Sequence, residues 1–350
     1  MNKRILSVIV FSAALLSVQA QDGKGGISPA MLGRIQQSYF SIKVDSKGIT
    51  DQKSSGRCWL FTGLNVMRAK TLARYGFQSF EFSEIYPFFW DQLEKSNLFL
   101  QGIIDTAKSP LEDPTVEWLL KHPLSDGGTF TGVADIVSKY GLVPKSAMPE
   151  TNSSENTARM AALISLKLKE YALQLRDLAA KGATPAALEK EKTAMLGTVY
   201  RMLVLNLGVP PTEFDYVRTD AKGNPVETEH HTPMSFLEKY GDKQLLTDYV
   251  MLMNDPSREY YKCYEIDYDR HRYDGKNWTY VNLPVEDIKQ MAVASLKDGT
   301  MMYFSCDVGK FLNSERGLLD VKNYDYESLM GTIFGMNKKQ RIQTFSSGSS

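Results

Sequence analysis

The sequence predicts an α+β fold with two lobes, because a helical half is followed by a half that is rich in strands. Helical periodicity dominates residues 21–209, whereas tyrosine-rich segments of alternating polarity mark residues 210–350. Strand patterns occur in the second half at 258–270, 277–283 and 300–309. Three strands with open edges are few for a closed structure, so we expect an incomplete β lobe.

The helical half begins with the apolar pattern CWLFTGLNVMRAKTLARY at residues 58–75, which Gly76 is placed to end. A second helix, crowded with aromatic side chains, is predicted over 83–99. The loop SDGGTF follows, and a short helix is predicted over 131–141.

A helical hairpin is predicted as an insertion over residues 156–208, where the composition becomes rich in Ala, Leu and Lys. Thr184 and Pro185 form a fresh helix start between its two halves. In the β half, one further helix is predicted over 285–299, between the second and third strand patterns.

The first twenty residues are predicted to be a secretory signal peptide. Lys3 and Arg4 precede an apolar run over 5–18, and Ala20 provides a small side chain at the usual cleavage spacing. The run is too short and wrongly flanked for a membrane anchor. We therefore expect an exported protein, periplasmic or secreted, that begins at Gln21. A buried N-terminal helix and a cytoplasmic location are the alternatives.

The composition excludes some classes of function. The 350 residues are 43% hydrophobic and 23% charged, as in a globular protein with a large core. Lys+Arg and Asp+Glu both number 41, so the chain lacks the basic excess of a dedicated nucleic-acid binder. We expect no nucleic acid and no membrane as partner, and no cofactor.

Cys58 is the candidate for chemistry. With Cys263 and Cys306 it makes an odd number of cysteines, so at least one thiol is left free. A thiol in the first turn of a helix is favoured as thiolate by the unpaired N–H groups there. Its own N–H could bind an oxyanion, and Gln52, six residues upstream, could fold back to supply a second donor. Arg57 adds local positive charge.

Each of these features also has a purely structural explanation. The cysteine could be buried, the glutamine solvated and the arginine a surface residue. Cys263 and Cys306 lie within strand patterns and are interpreted as packed thiols, with a disulfide between them as the less favoured alternative.

The segment DQKSSGRCWLF resembles the active-site segment of papain-like cysteine peptidases. With the continuation GLNVMR it resembles the bleomycin hydrolase or aminopeptidase C branch. The resemblance extends through FSEIYPFFWDQLEKSN, SDGGTF, KYGLVPKSAMPET, DYVMLMNDPSREYYKCYEID and YFSCDVGKF. It implies a papain-like two-lobe fold with a helical insertion. It also implies an aminopeptidase that removes N-terminal residues from peptides through a thiol acyl-enzyme.

The resemblance implies a role for five residues. Cys58 would be the nucleophile and Gln52 the oxyanion-hole donor, and Trp59 would be the aromatic beside the nucleophile or simply a core residue. Gly127 and Gly128 match the loop along which an extended substrate lies, and glycine lets a substrate backbone come close. Peptides are the implied partners, and a hexamer is the implied assembly.

The resemblance is incomplete at the catalytic base. A papain-like mechanism needs a histidine and an asparagine that orients it, and the family's segments for both are absent. Surface or turn roles are expected for all four histidines, which are His122, His230, His231 and His271. The adjacent pair could bind a metal only adventitiously, since no spaced third ligand is evident, so no metal site is expected.

The chain is therefore interpreted as truncated before its base and as inactive in this form. A non-catalytic peptide-binding or scaffold relative that keeps the cleft is the alternative. A thiol redox protein is disfavoured because no Cys-x-x-Cys motif occurs.

Overall fold

The computed structural model describes residues 40–346, except 221, 308, 310, 316, 321, 322 and 325. The chain divides into two compact units, one holding residues 41–305 and the other including the described residues from 306 to 346. The signal peptide predicted at residues 1–20 lies outside the described residues and stays a prediction.

The larger unit begins with four helices around an aromatic-rich core. They are α1 (Cys58–Tyr75), α2 (Ile85–Asp105), α3 (Pro114–Lys121) and α4 (Phe130–Tyr140). The prediction for α1 is confirmed at both ends, since Gly76 takes the left-handed conformation, with φ of 66°, that ends a helix. The second helix runs six residues beyond its predicted end, because apolar side chains up to Ile103 remain buried.

The helical hairpin is confirmed. After the short helix α5 (Asn152–Glu155), α6 (Ala158–Ala180) and α7 (Pro185–Leu207) pack on each other and on α2. The Thr184 side chain accepts a hydrogen bond from the N–H of Ala187, and Pro185 occupies the first turn of α7. The buried side chains recur every three or four residues along α6, at Met160, Ile164, Leu168, Tyr171 and Leu175.

A β-hairpin that the sequence did not reveal follows the helical hairpin. Its strands β1 (Phe214–Thr219) and β2 (Pro225–His231) pair antiparallel and are mostly polar, so they lack the apolar alternation that would have marked them. The helices α8 (Pro233–Tyr240) and α9 (Lys243–Thr247) come next.

A three-stranded sheet of order β3-β5-β4 completes this unit. It consists of β3 (Leu252–Met253), β4 (Lys262–Ile266) and β5 (Trp278–Asn282), with β3 parallel and β4 antiparallel to β5, and α10 (Val285–Lys297) follows. The predicted third strand at 300–309 is wrong for the described part of that range, where 301–307 form no strand. Apolar alternation yields a strand only where a neighbouring strand completes the hydrogen bonds.

The smaller unit contains the strands β6 (Leu312–Asn313) and β7 (Leu318–Leu319), which pair antiparallel, and the helices α11 (Tyr326–Met330) and α12 (Lys338–Gln343). The amide of Asn323 donates to the carbonyls of Phe311 and Leu318 and so holds the β6–β7 hairpin together. Within residues 40–346, no described helix combines the length and apolar character that a membrane span requires.

Candidate active site

Cys58 is the first residue of α1, and its side chain is exposed. The Arg57 carbonyl accepts from the N–H groups of Leu60 and Phe61, at 2.9 and 3.1 Å, which starts the helix. The N–H of Cys58 therefore precedes the first intrahelical donor and has no acceptor within the helix. The thiol approaches the carbonyl oxygen of Gly56 at 4.0 Å, a contact too long to engage it strongly.

Arg57 does not supply a free charge beside the thiol. The alternative prediction, that Arg57 is a surface residue, is also wrong. Its side chain is fully buried, and its two terminal nitrogens donate to the carboxylate of Glu150 at 3.1 and 2.8 Å. The guanidinium also lies over the rings of Phe61 and Phe88, at 5.0 and 5.3 Å from their centroids. The neutralised, bidentate pair anchors the segment that leads into Cys58.

Gln52 folds back towards the start of α1. Its side-chain amide donates to the carbonyl of Ser55 at 2.5 Å, and the Ser55 hydroxyl donates to the carbonyl of Gln52 at 2.6 Å. The two bonds close a tight loop in which Lys53 adopts a left-handed conformation, with φ of 54°. A glutamine amide has two N–H donors, so one remains for a further acceptor.

The loop over residues 125–128, called the substrate loop below after its predicted role, is held by side chains rather than by regular secondary structure. Its carbonyls at Ser125, Asp126 and Gly127 each accept a side-chain hydrogen bond. Lys95 donates to Ser125 and Gly127 at 3.0 and 2.6 Å, and the indole of Trp59 donates to Asp126 at 2.8 Å. Trp59 is fully buried, so it is a core residue that also positions the substrate loop.

Asp126 links three parts of the site through its side chain. Its carboxylate accepts from the N–H of Gly56 at 2.7 Å and from the hydroxyl of Thr157 at 2.5 Å. A Cβ at Gly56 would lie 2.2 Å from this carboxylate, so only glycine fits there. Beside these residues, a cavity of about 530 Å³ extends to Ala158 and Ala161 on the helical insertion.

His271 is the main correction to the sequence-based view of the histidines. It is 4% exposed, and its Nδ1 lies 2.5 Å from the carboxylate of Asp91. Its ring meets that of Trp59 edge-on, with the centroids 4.7 Å apart, and it fills the space that a side chain at Gly128 or Gly132 would need. No sequence signal could reveal this contact, because Asp91 and His271 are 180 residues apart.

The electrostatics of this cluster favour a neutral imidazole beside an ionised carboxylate. Burial, followed by the charge on Lys95, lowers the pKa of His271, although the Asp91 carboxylate opposes this. Burial acts to raise the pKa of Asp91, but Lys95 and His271 hold it below its ordinary value. The Nδ1–H of His271 therefore donates to ionised Asp91.

We expect the wild-type protein to lose stability as the pH falls below about 6.5, the ordinary pKa of histidine. Because the folded-state pKa of His271 is lower than that value, protons bind the unfolded chain preferentially. The contribution of His271 to the free energy of unfolding is fully present above pH 6.5 and is lost as the pH falls towards the folded-state pKa.

Urea denaturation measures the free energy of unfolding at about pH 7.5 and about pH 5.5. The difference between these two values should be smaller for His271→Gln than for wild type. His122→Gln, at an exposed position, should retain the wild-type difference. Equal differences in all three proteins would refute the role of His271.

None of the four histidines hydrogen-bonds to Cys58. His231 is buried in β2, which corrects its expected surface role, while His122 and His230 are exposed. Their partners are Trp118 for His122, Asp215 for His230, and Glu229 and Ser235 for His231. Within the described chain, no group of three or more His, Cys, Asp or Glu residues is placed to hold a metal ion.

Tyr303 is a residue near the thiol that the sequence did not single out. Burial, followed by the charge of Cys58, raises the pKa of its phenol to about 12. Its ring lies 5.7 Å from that of Phe130, which starts α4 directly after the substrate loop. The other cysteines also differ from expectation, since Cys263 is exposed rather than packed and Cys306 is half-buried; all three thiols are free.

Comparison with known proteins places this geometry in a family. The model of the Peptidase C1-like family matches residues 13–350. The chain belongs to this family. It is 37% identical over 307 residues to bleomycin hydrolase of Mus musculus, covering 86% of this chain and 68% of that relative. It is 36% identical over 307 residues to aminopeptidase C of Lactobacillus delbrueckii subsp. lactis, covering 87% of this chain and 68% of that relative.

A solved structure confirms the fold class. The crystal structure of PepW from Lactobacillus rhamnosis HN001 matches with a TM-score of 0.84 and 37% identity, covering 89% of this chain and 70% of that chain. The predicted family and papain-like α+β fold are confirmed, and the chain is a cysteine-type peptidase. The hexameric assembly and the lobe boundary at residue 209 stay predictions.

Proposed function

We propose that the protein is a cysteine aminopeptidase of the bleomycin hydrolase type, in which Cys58 is the nucleophile. The observation that carries this is the exposed thiol of Cys58 at the start of α1, with a substrate loop already formed beside it. The relatives named bleomycin hydrolase and aminopeptidase C support the same activity.

In the proposed reaction the Cys58 thiolate attacks the carbonyl carbon of the substrate's first peptide bond. The oxyanion that develops would accept hydrogen bonds from the N–H of Cys58 and from the remaining amide N–H of Gln52. Departure of the amine, which must receive a proton, leaves an acyl group on Cys58, and water then releases it.

The proposed substrate is a peptide bound in an extended conformation along Gly127 and Gly128. Among the described residues, no hydrogen bond uses the N–H or C=O of Gly128, so both remain for a substrate main chain. The cavity of about 530 Å³ beside Gly56 and Asp126 would receive a substrate side chain.

The 350-residue chain is proposed to turn over slowly by itself, because a thiol–imidazole pair is required and its histidines are engaged elsewhere. The same observation favours a second candidate, a peptide-binding protein without turnover. One experiment distinguishes the two candidates. The chain is joined to a segment of the family type that carries a histidine and an asparagine, and only the first candidate then becomes an active peptidase.

The experiment follows the release of residues from a peptide with a free N-terminus and from its N-acetylated form, using the extended chain. Aminopeptidase activity should remove residues one at a time from the free peptide only. Cys58→Ala should abolish the release, whereas Cys263→Ala, at another exposed thiol, should retain it. Cleavage that persists in Cys58→Ala, or that occurs within the acetylated peptide, would contradict the proposed function, and a lack of any turnover would favour the binding protein.

A further inference from the structure

Lys95 holds the substrate loop from the side of α2. Its ammonium donates to the carbonyls of Gly127 and Ser125, at 2.6 and 3.0 Å, and lies 3.0 Å from the carboxylate of Asp91. An ammonium has three N–H donors, so these three acceptors use all of them. The lysine side chain is 11% exposed, which keeps solvent from competing for its donors.

The charge of Lys95 is compensated within the protein. Asp91 is fully buried and also accepts from Gln92 at 3.0 Å and from His271, and the ammonium lies 5.4 Å from the ring centroid of Trp59. A buried ion pair contributes little net stability compared with well-packed apolar side chains. Stability alone is therefore a poor explanation for a lysine at this position.

The geometry of the substrate loop offers a better explanation. A segment that pairs with a peptide must leave the main-chain N–H and C=O groups of its outer edge out of any helix or sheet. The carbonyls that point inward still need hydrogen-bond donors. Lys95 donates to the carbonyls of Gly127 and Ser125, and Trp59 donates to that of Asp126. The Ser125 carbonyl also accepts from the side-chain amide of Gln92 at 3.0 Å, so the carbonyl of Gly127 is the one that depends on Lys95. The main chain of the next residue, Gly128, is left without a partner among the described residues.

We propose that Lys95 is a positioning residue for peptide binding. By holding the carbonyl of Gly127 inward, and that of Ser125 together with Gln92, it keeps the main chain of Gly128 aligned to pair with an extended peptide. A loop fixed in this way does not lose conformational freedom when the peptide binds. This inference rests on the proposed function of the substrate loop and names the residue that holds the loop in place.

The test compares two reagents that alkylate Cys58. A dipeptidyl chloromethyl ketone must bind along the substrate loop before the thiolate displaces chloride, whereas iodoacetamide needs no such binding. In Lys95→Met, KI for the peptidyl reagent should rise at least about tenfold, while the second-order rate with iodoacetamide stays within about twofold of wild type. Asp91→Asn/Lys95→Met should show the same rise in KI without an unpaired buried carboxylate.

Lys192→Met is the matched control. Lys192 is also a buried lysine, bonded to Gln101 at 2.6 Å and paired with Glu189 at 2.9 Å, but it lies on α7 and neither contact involves the substrate loop. It should keep the wild-type KI.

Three results would overturn the positioning role. They are an unchanged KI in either Lys95 variant, a parallel loss of rate with iodoacetamide, and an equal rise in KI for Lys192→Met. If the wild-type chain reacts with the peptidyl reagent without saturation, the substrate loop binds no peptide, which contradicts the proposed function and this inference together. Saturation in wild type with an unchanged KI in the variants overturns the positioning role alone.

Discussion

The 350-residue chain is expected to hydrolyse an aminoacyl amide roughly 10²- to 10⁴-fold more slowly than the same chain joined to a segment that carries a histidine base and its asparagine. Without an imidazole at the thiol, no side chain takes the proton of the thiol or gives one to the leaving amine. His271 does not fill this role in its observed position, because its ring is buried against Trp59 and makes no hydrogen bond to Cys58. Steady-state rates for the two chains on one aminoacyl amide measure the factor.

A matched control separates the catalytic base from other effects of the appended segment. The appended segment with its histidine replaced by alanine should not raise the rate. If instead the 350-residue chain turns over efficiently and Cys58→Ala abolishes this, one of its four histidines is the base. The interpretation of the chain as lacking its base would then be wrong.

Replacing Arg57 by methionine is expected to lower the free energy of unfolding by about 3–5 kcal/mol. The variant removes the bidentate partner of Glu150 and leaves that carboxylate, whose side chain is 14% exposed, without its cation. It also removes the guanidinium that packs over Phe61 and Phe88. Denaturant unfolding monitored by circular dichroism measures the change.

Two comparisons show whether the loss belongs to the buried pair. Arg57→Met/Glu150→Gln should recover part of the stability, because no unpaired charge remains. Lys121→Met breaks an exposed pair with Glu117 and should cost no more than about 1 kcal/mol. A loss for Arg57→Met as small as that for Lys121→Met would show that Arg57 does not anchor the segment before Cys58.

The elements that could be predicted are those set by local sequence. The first helix ends at Gly76 because a left-handed residue is needed there, and the second half of the helical hairpin begins at Thr184 because its side chain caps the N-terminus. The strand pattern at 300–309 failed because pairing depends on a partner strand that local alternation does not reveal.

The parts of the site that could not be predicted depend on contacts distant in sequence. Arg57 and Glu150 are 93 residues apart, and Asp91 and His271 are 180 residues apart. Asp91 and Lys95 are four residues apart, which predicts an ion pair on one face of a helix. This spacing does not indicate that the Lys95 ammonium also donates to the substrate loop. The resemblance singled out Cys58, and only the folded structure shows what holds the segments around it.

The claim that Cys58 is the nucleophile is tested most directly by acylation with an aminoacyl p-nitrophenyl ester. The p-nitrophenolate leaves without being protonated, so this reaction needs the thiolate and the oxyanion donors but not the acid that a histidine supplies. Peptide mapping by mass spectrometry should find the acyl group on Cys58 well before it appears on Cys263, although both thiols are exposed. Equal acylation of the two cysteines, or none at Cys58, would contradict the claim.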